Sequence, residues 1–351
     1  MLHTIILGTH SMNRRTSLVL FFCVRLIGVN GWAQDASPND QARFLAGLPV
    51  RGSALESYTR DVAWAEHATA LDAAWGKTEQ RQMANVRAWA GEYISHAPST
   101  VYYMFSGPDF LYADLFFPNA STYILCGTEP IGAIPDIRKL APGTLRPGLT
   151  NLRGSLKTIL GAHFFITKDM RADLQREELG GTLPVLYLFL ARLGNTIREV
   201  TFVDSPSAGV RLTFTSPSGT PQILYYFKVD LSNGSGGNFL GWCAAQGPGA
   251  SLVKAASYLM HGDGFSQVRR FLLDQSALIV QDDSGIPLHY FDERWTVRVF
   301  GEYVGPIEIF AKYFQPDLLA TYRRSNPAPL RFAFGYHTEP QRGMLMLGTR
   351  R

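Results

Sequence analysis

Thr100-Val101-Tyr102-Tyr103-Met104-Phe105, Ser106-Gly107-Pro108-Asp109, Phe110-Leu111-Tyr112-Ala113-Asp114-Leu115-Phe116-Phe117 and Ser121-Thr122-Tyr123-Ile124-Leu125-Cys126 are the segments whose reading decides the fold. The first is rich in β-branched and aromatic residues and reads as a strand. The second is turn chemistry. The third is a short apolar helix stopped by Pro118-Asn119, and the fourth is another strand, ended by Gly127-Thr128-Glu129-Pro130. Strand, helix, strand in this order predicts a parallel pair with a right-handed crossover. The crossover is short, so two strands of a less regular sheet are the alternative.

The two strand ends share a plan: an apolar strand, a glycine, then a carboxylate two residues on. Gly107 precedes Asp109, and Gly127 precedes Glu129. Parallel neighbours lie ~4.8 Å apart, so both turns open at one sheet edge. Open α/β sheets take ligands at the carboxyl ends of their strands. Asp109 and Glu129 are therefore candidates for acid and base, or for holding a metal or sugar hydroxyls. Ser106, Gly107 and Gly127 are candidate ligand contacts beside them. The plainer reading is that Asp109 caps the helix starting at Phe110 and Glu129 is a solvated loop residue.

On the N-terminal side, Trp64, Ala68, Leu71 and Trp75 recur at helical spacing, and Val86, Trp89 and Tyr93 resume it. This predicts helix over 54–97, interrupted near Gly76. On the C-terminal side, a Pro/Gly-rich loop at 131–148 leads to helices at 149–165, 168–179 and 184–193. Strands follow at 198–203, 210–215 and 222–230, the last two joined through Ser216-Pro217-Ser218-Gly219. After a loop at 233–237 the pattern predicts helices at 249–261 and 264–275. It then predicts a hairpin of 277–281 with 286–291 over Asp282-Asp283-Ser284-Gly285, a strand at 295–303, a helix at 317–324 and a last strand at 330–336. The expected fold is mixed α+β in one globular body over 54–351: a helical N-terminal arm, a short parallel β-α-β unit, a helical middle and antiparallel β-hairpins in the C-terminal half.

Two further loops carry polar groups. His261-Gly262-Asp263-Gly264 sets a His and an Asp among glycines, suited to a metal or to proton transfer; an interhelix turn explains it as well. Asp282-Asp283 lacks the spaced oxygens of a calcium loop, and Asp-Asp-Ser-Gly makes a good turn without an ion. Neither pattern specifies a metal. Cys126 and Cys243 could pair in an oxidising compartment or stay buried as free thiols. There is no phosphate loop, dinucleotide fingerprint, His-Glu-x-x-His, Cys-x-x-Cys or Gly-x-Ser-x-Gly, so no cofactor is implied.

The start of the chain reads as an export signal. Met12-Asn13-Arg14-Arg15 is a basic opening and Thr16 to Val24 an apolar run. Gly31-Trp32-Ala33 offers small residues at both positions a signal peptidase reads. Met12 is the better start, and cleavage after Ala33 would leave Gln34 first, followed by a linker over 34–53. Arg25, late in the apolar run, opposes this reading. The signal style is bacterial, pointing to a periplasmic or extracellular protein with no transmembrane anchor after cleavage. Of the net charge of +4, Arg14, Arg15 and Arg25 supply three, so the mature chain is near +1. That argues against a dedicated nucleic-acid binder, which needs clustered Lys and Arg. With 46% hydrophobic and 18% charged residues the body has a large core. Two function classes remain: a non-catalytic binding or envelope-associated protein, and an exported hydrolase using carboxylates at the strand-end turns.

Overall fold

The β-branched and aromatic run at Thr100–Tyr103 forms strand β1, and Thr122–Gly127 forms β2. They pair in parallel, Tyr103 opposite Leu125, with the Phe110–Phe116 helix between them in sequence. The computed structural model describes residues 36–94, 96–165, 174 and 179–351. Within these, seven more strands join the first two: β3 (Thr196–Val203), β4 (Gly209–Thr215), β5 (Pro221–Lys228), β6 (Gly249–Val253), β7 (Ser276–Gln281), β8 (Trp295–Gly301) and β9 (Met344–Arg350). The nine-stranded sheet has the order β3-β4-β5-β2-β1-β6-β7-β9-β8. Its centre, β5-β2-β1-β6-β7, is all parallel. Antiparallel strands extend both flanks. The fold is therefore mixed α+β.

Alternation along the central strands sends side chains to two cores. Val101 and Tyr103 of β1, Tyr123 and Leu125 of β2 and Leu252 of β6 face the larger one. They pack there against the helices Val62–Thr78, Ala84–Tyr93, Leu145–Ala162 and Leu183–Arg192. Tyr102, Ile124 and Val253 face the other core, with helices Gly237–Ala245 and Ser266–Gln275. Strands buried on both faces read as continuous apolar runs, not alternating ones. Tyr102 ties one side together: its hydroxyl lies 2.9 Å from the Cys243 carbonyl and 2.5 Å from that of Gly247.

This burial explains where the sequence misleads. The predicted helix at 249–261 begins as β6, a central strand buried along its whole length; its short apolar run lacks the length that separates strand from buried helix. Ile286–Phe291 does not return as a hairpin strand, because β7 pairs with β6 and β9 instead. Residues 330–336 form no strand, and the last strand is Met344–Arg350. Gly76 does not break its helix; the irregularity is a π-helical turn at Glu79–Met83, running on from Thr78. The predicted linker carries a helix, Pro38–Leu45, capped by Ser37 and Asp40, with Phe44 and Leu45 wholly buried. The predicted signal segment 1–33 lies outside the described residues, as does nearly all of the predicted helix 168–179. Among the described residues no helix is long and apolar enough to cross a membrane.

Candidate functional site

Because the five central strands run parallel, the loops after them leave the sheet at one edge. The chain moves outward from β1 to β2 and β5, then returns to the other side of β1 for β6 and β7. The strand order thus reverses between β1 and β6, where open sheets form a ligand crevice. A cavity of about 170 Å³ lies there. It is lined by Ser106, Gly107 and Asp109 after β1, Gly127 and Glu129 at the end of β2, Asp230 and Leu231 after β5, and Lys254 to Ser257 after β6. Phe105, Phe164, Phe165 and Phe265 supply apolar wall. The structure therefore brings together Asp109, Glu129, Ser106, Gly107 and Gly127.

Asp109 is both a helix cap and half of an ion pair. One carboxylate oxygen, Oδ1, accepts from the Tyr112 backbone N–H at 3.1 Å, capping the Phe110–Phe116 helix. The other, Oδ2, accepts from the Tyr103 hydroxyl at 2.7 Å and lies 2.8 Å from Lys254 Nζ. Lys254 is the residue sequence reading misses. It continues the alternation of β6 to the face of Leu252, so the ammonium enters the larger core. The Lys254 and Asp109 side chains are 1% and 3% exposed. The ammonium also donates to the His163 carbonyl and sits 3.4 Å from the Tyr112 ring centroid. Burial lowers its pKa, and the Asp109 carboxylate pulls the other way. Burial, with the Asp109 charge, raises the Tyr103 phenol well above its usual value, so it remains a donor.

Glu129 is buried, not solvated. Its Oε2 accepts from the Tyr226 hydroxyl at 3.2 Å, and among the described residues it forms no ion pair. The glycines between the two acids are required by space. A Cβ on Gly127 would stand 2.1 Å from Glu129 Oε2 and 3.0 Å from Gly107 Cα. The two turns are packed backbone against backbone.

Asp282 and Asp283, after β7, hold the β6 loop in shape. Asp282 Oδ2 accepts from the Ala255 N–H at 3.2 Å and Oδ1 from the Ser284 hydroxyl at 2.6 Å. Ser284 Oγ in turn accepts from the Ala256 N–H at 2.7 Å. Asp283 Oδ2 accepts from the Tyr258 hydroxyl at 2.9 Å. Burial raises both carboxyl pKa values, and the charge of Asp283 adds to the rise at Asp282. Their sequence reads as an ordinary surface turn, yet both are buried. The loop they hold is strained: Ala255, Ser257 and Tyr258 have φ of 50°, 54° and 55°, and Phe105 across the cavity has 62°. Left-handed backbone at residues other than glycine costs of order 1–3 kcal/mol each and clusters at functional sites.

His261 and Asp263 stay outside this cavity. The His261 ring packs against Tyr258 and Tyr313, its Nε2 is 3.1 Å from the Asp283 carbonyl, and burial lowers its pKa to about 4. Asp263 is exposed in a tight turn. Cys126 and Cys243 are free and buried, not bridged; Cys126 Sγ lies 3.5 Å from Met104 Sδ. Among the described residues no three His, Cys, Asp or Glu side chains group to hold a metal ion. No family model matches the chain, and comparison with curated proteins and with solved structures finds no similar protein.

Proposed function

We propose that the protein is an exported binding protein that holds a small organic cation, with an apolar body, in the crevice between the ends of β1 and β6. The observation that carries this reading is Glu129, a buried carboxylate on the cavity wall with no ion-pair partner among the described residues. Asp230 adds an exposed acid at the same cavity. Aromatic side chains opposite fit a cation with an apolar or ring body. The volume is below the ~300–1,000 Å³ of drug-sized pockets, so the ligand is small. Export rests on the pattern of residues 12–33.

Binding is favoured over carboxylate hydrolysis because Asp109 is fully engaged. Tyr112 takes one of its oxygens, and Tyr103 and Lys254 take the other. A two-carboxylate mechanism needs one acid and one base, each within reach of the reacting group. Here Glu129 has no free partner of that kind.

The test is a thermal-shift screen of small primary and quaternary amines beside neutral sugars of similar size. A cation at one hundred times its Kd stabilises by about 2.7 kcal/mol. Glu129→Gln should abolish that shift while the variant still melts cooperatively. Sugars and amines shifting the melt equally, or amines acting equally on Glu129→Gln, would overturn the proposal.

A further inference from the structure

A second and larger cavity, about 490 Å³, lies between the Val62–Thr78 and Leu145–Ala162 helices and shares no lining residue with the β1/β6 crevice. Its floor is apolar: Leu71, Ala74, Leu156 and Leu160. Four cations line it, Lys77, Arg81, Arg153 and Lys157, and among the described residues no acid does. None of the four forms an ion pair among the described residues. Arg146, on the Leu145–Ala162 helix, is paired with Glu66, and Arg87, on the Ala84–Tyr93 helix, with Glu79. Among the described residues these unpaired cations are gathered at the cavity.

Two buried nitrogens lack partners there. Arg153 Nη1 and His163 Nε2 are buried and make no hydrogen bond among the described residues. His163 is 4% exposed and lines the cavity. Burial pushes its pKa down to about 3, so the ring is neutral. A buried polar group without a partner costs about 1–3 kcal/mol, and such groups call for an explanation. The helix wall is also irregular here. Arg81 sits in the π-helical turn Glu79–Met83, a feature found frequently at functional sites. Immediately before it, Thr78 Oγ lies 2.8 Å from the Ala74 carbonyl and 2.7 Å from that of Leu160, joining the two helices at the cavity.

We infer that this cavity binds a single-chain amphiphile with an anionic head, of the fatty-acid class. The apolar floor takes the tail, the cation cluster takes the carboxylate, and Arg153 Nη1 supplies a free donor. The volume falls within the ~300–1,000 Å³ that holds organic ligands of drug size. The cations are partly solvated, so binding weakens as salt rises.

The probe is dodecanoate below its micelle concentration, titrated calorimetrically into the full protein. Dodecyltrimethylammonium, inorganic phosphate and anionic phospholipid vesicles are run beside it. The expected result is one saturable equivalent of dodecanoate, with much weaker binding of the cationic homologue and of phosphate. The triple variant Lys77→Gln, Arg81→Gln and Lys157→Gln alters only exposed side chains, so it leaves the fold intact. It should weaken dodecanoate about tenfold, a few-fold for each solvent-screened contact. Ala74→Trp fills the tail site and should abolish binding; if it fails to fold, the triple variant and the cationic homologue decide alone. Equal binding of the two homologues, or an unchanged triple variant, overturns the inference. So does phosphate binding as tightly as dodecanoate, or association with vesicles but not with monomeric dodecanoate. The β1/β6 crevice is untouched by these variants, so the two proposals fail separately.

Discussion

Asp109→Asn is the substitution that best tests how the crevice is held together. Asn caps a helix about as well as Asp, so the bond from the Tyr112 N–H survives. What is lost is the negative charge 2.8 Å from Lys254 Nζ, in a pair with side chains 1% and 3% exposed. Removing one partner of a buried pair costs roughly 3–5 kcal/mol, because the other charge is left uncompensated. The penalty has a ceiling, since Lys254 can shed its proton. At pH 7 that costs an ordinary lysine about 4.6 kcal/mol, and at pH 9 about 1.9 kcal/mol. Without Asp109 only the charge of Asp282 opposes the lowering of the Lys254 pKa by burial. A depressed folded pKa means the unfolded chain binds more protons between that value and ~10.4, so stability rises with pH across this window. Asp109→Asn should therefore lose about 3–4 kcal/mol against wild type at pH 7 and less than about 2 at pH 9. Asp109→Ala should lose about 1 kcal/mol more at both, for the cap. Adding Lys254→Met to Asp109→Asn should recover most of the loss, since a buried pair replaced by apolar groups is often neutral. Urea unfolding followed by tryptophan fluorescence, at both pH values, measures all of this. If Asp109→Asn matched wild type at both pH values and Ala alone lost about 1 kcal/mol, the reasoning would be refuted: Asp109 would be a cap and nothing more.

Three other outcomes are expected. Burial raises the Asp282 and Asp283 pKa values, so their contribution is complete below the unfolded value of 3.8 and is lost as pH climbs through the raised one. These two carboxyls pull stability down between about pH 4 and pH 7, against the rise contributed by the buried neutral His163 and His261, so Asp282→Asn should make the net slope more positive than wild type in urea titrations at stepped pH. Cys126 and Cys243 should resist alkylation in the folded protein and give two modified thiols once denatured, because burial raises both thiols and Cys126 to about 12; one disulfide by non-reducing mass analysis would contradict this. Protein recovered from the extracytoplasmic fraction should begin at or near Gln34 by intact mass, and full-length cytosolic protein would end the export proposal.

The parallel β-α-β unit was legible because its signals are local. Thr100–Tyr103, Phe110–Phe116 and Thr122–Gly127 are each bounded by Gly, Pro or Asn, and each is a short, mostly apolar run. From that unit alone the sequence points to the edge where Asp109 and Glu129 meet. The partner of Asp109 is another matter. Lys254 follows Gly249–Val253, a run of small and apolar residues too short to distinguish strand from buried helix. Read as helix, Lys254 is one more solvated side chain. Read as the end of a central strand, it lies one step beyond Val253 and on the opposite face, inside the core. Asp282 and Asp283 are hidden for a similar reason. Asp-Asp-Ser-Gly has turn chemistry whether its carboxylates face water or hold another loop, and only the pairing of β7 with β6 decides which.

The structure gives Asp109 two jobs on different oxygens, helix cap on Oδ1 and ion-pair partner of Lys254 on Oδ2. That economy has a consequence for the loop after β6. Ala255, Ser257 and Tyr258 are held in left-handed backbone by groups that are not neighbours in sequence. Asp282 takes the Ala255 N–H, Ser284 that of Ala256, and Tyr336 OH that of Ser257 at 3.0 Å; Asp283 takes the Tyr258 hydroxyl. Strain of this kind persists only where the surroundings over-determine it. If it exists to shape the crevice, relieving it should separate stability from binding. Ala255→Gly removes the penalty at φ 50° but enlarges the freedom of the unfolded chain, and the two effects are each about 1 kcal/mol and of opposite sign. Stability should therefore stay within about 1 kcal/mol of wild type, while the amine-induced thermal shift shrinks because the loop is less fixed. Ala255→Gly with unchanged stability and an undiminished shift would mean that the strained loop plays no part in shaping the crevice.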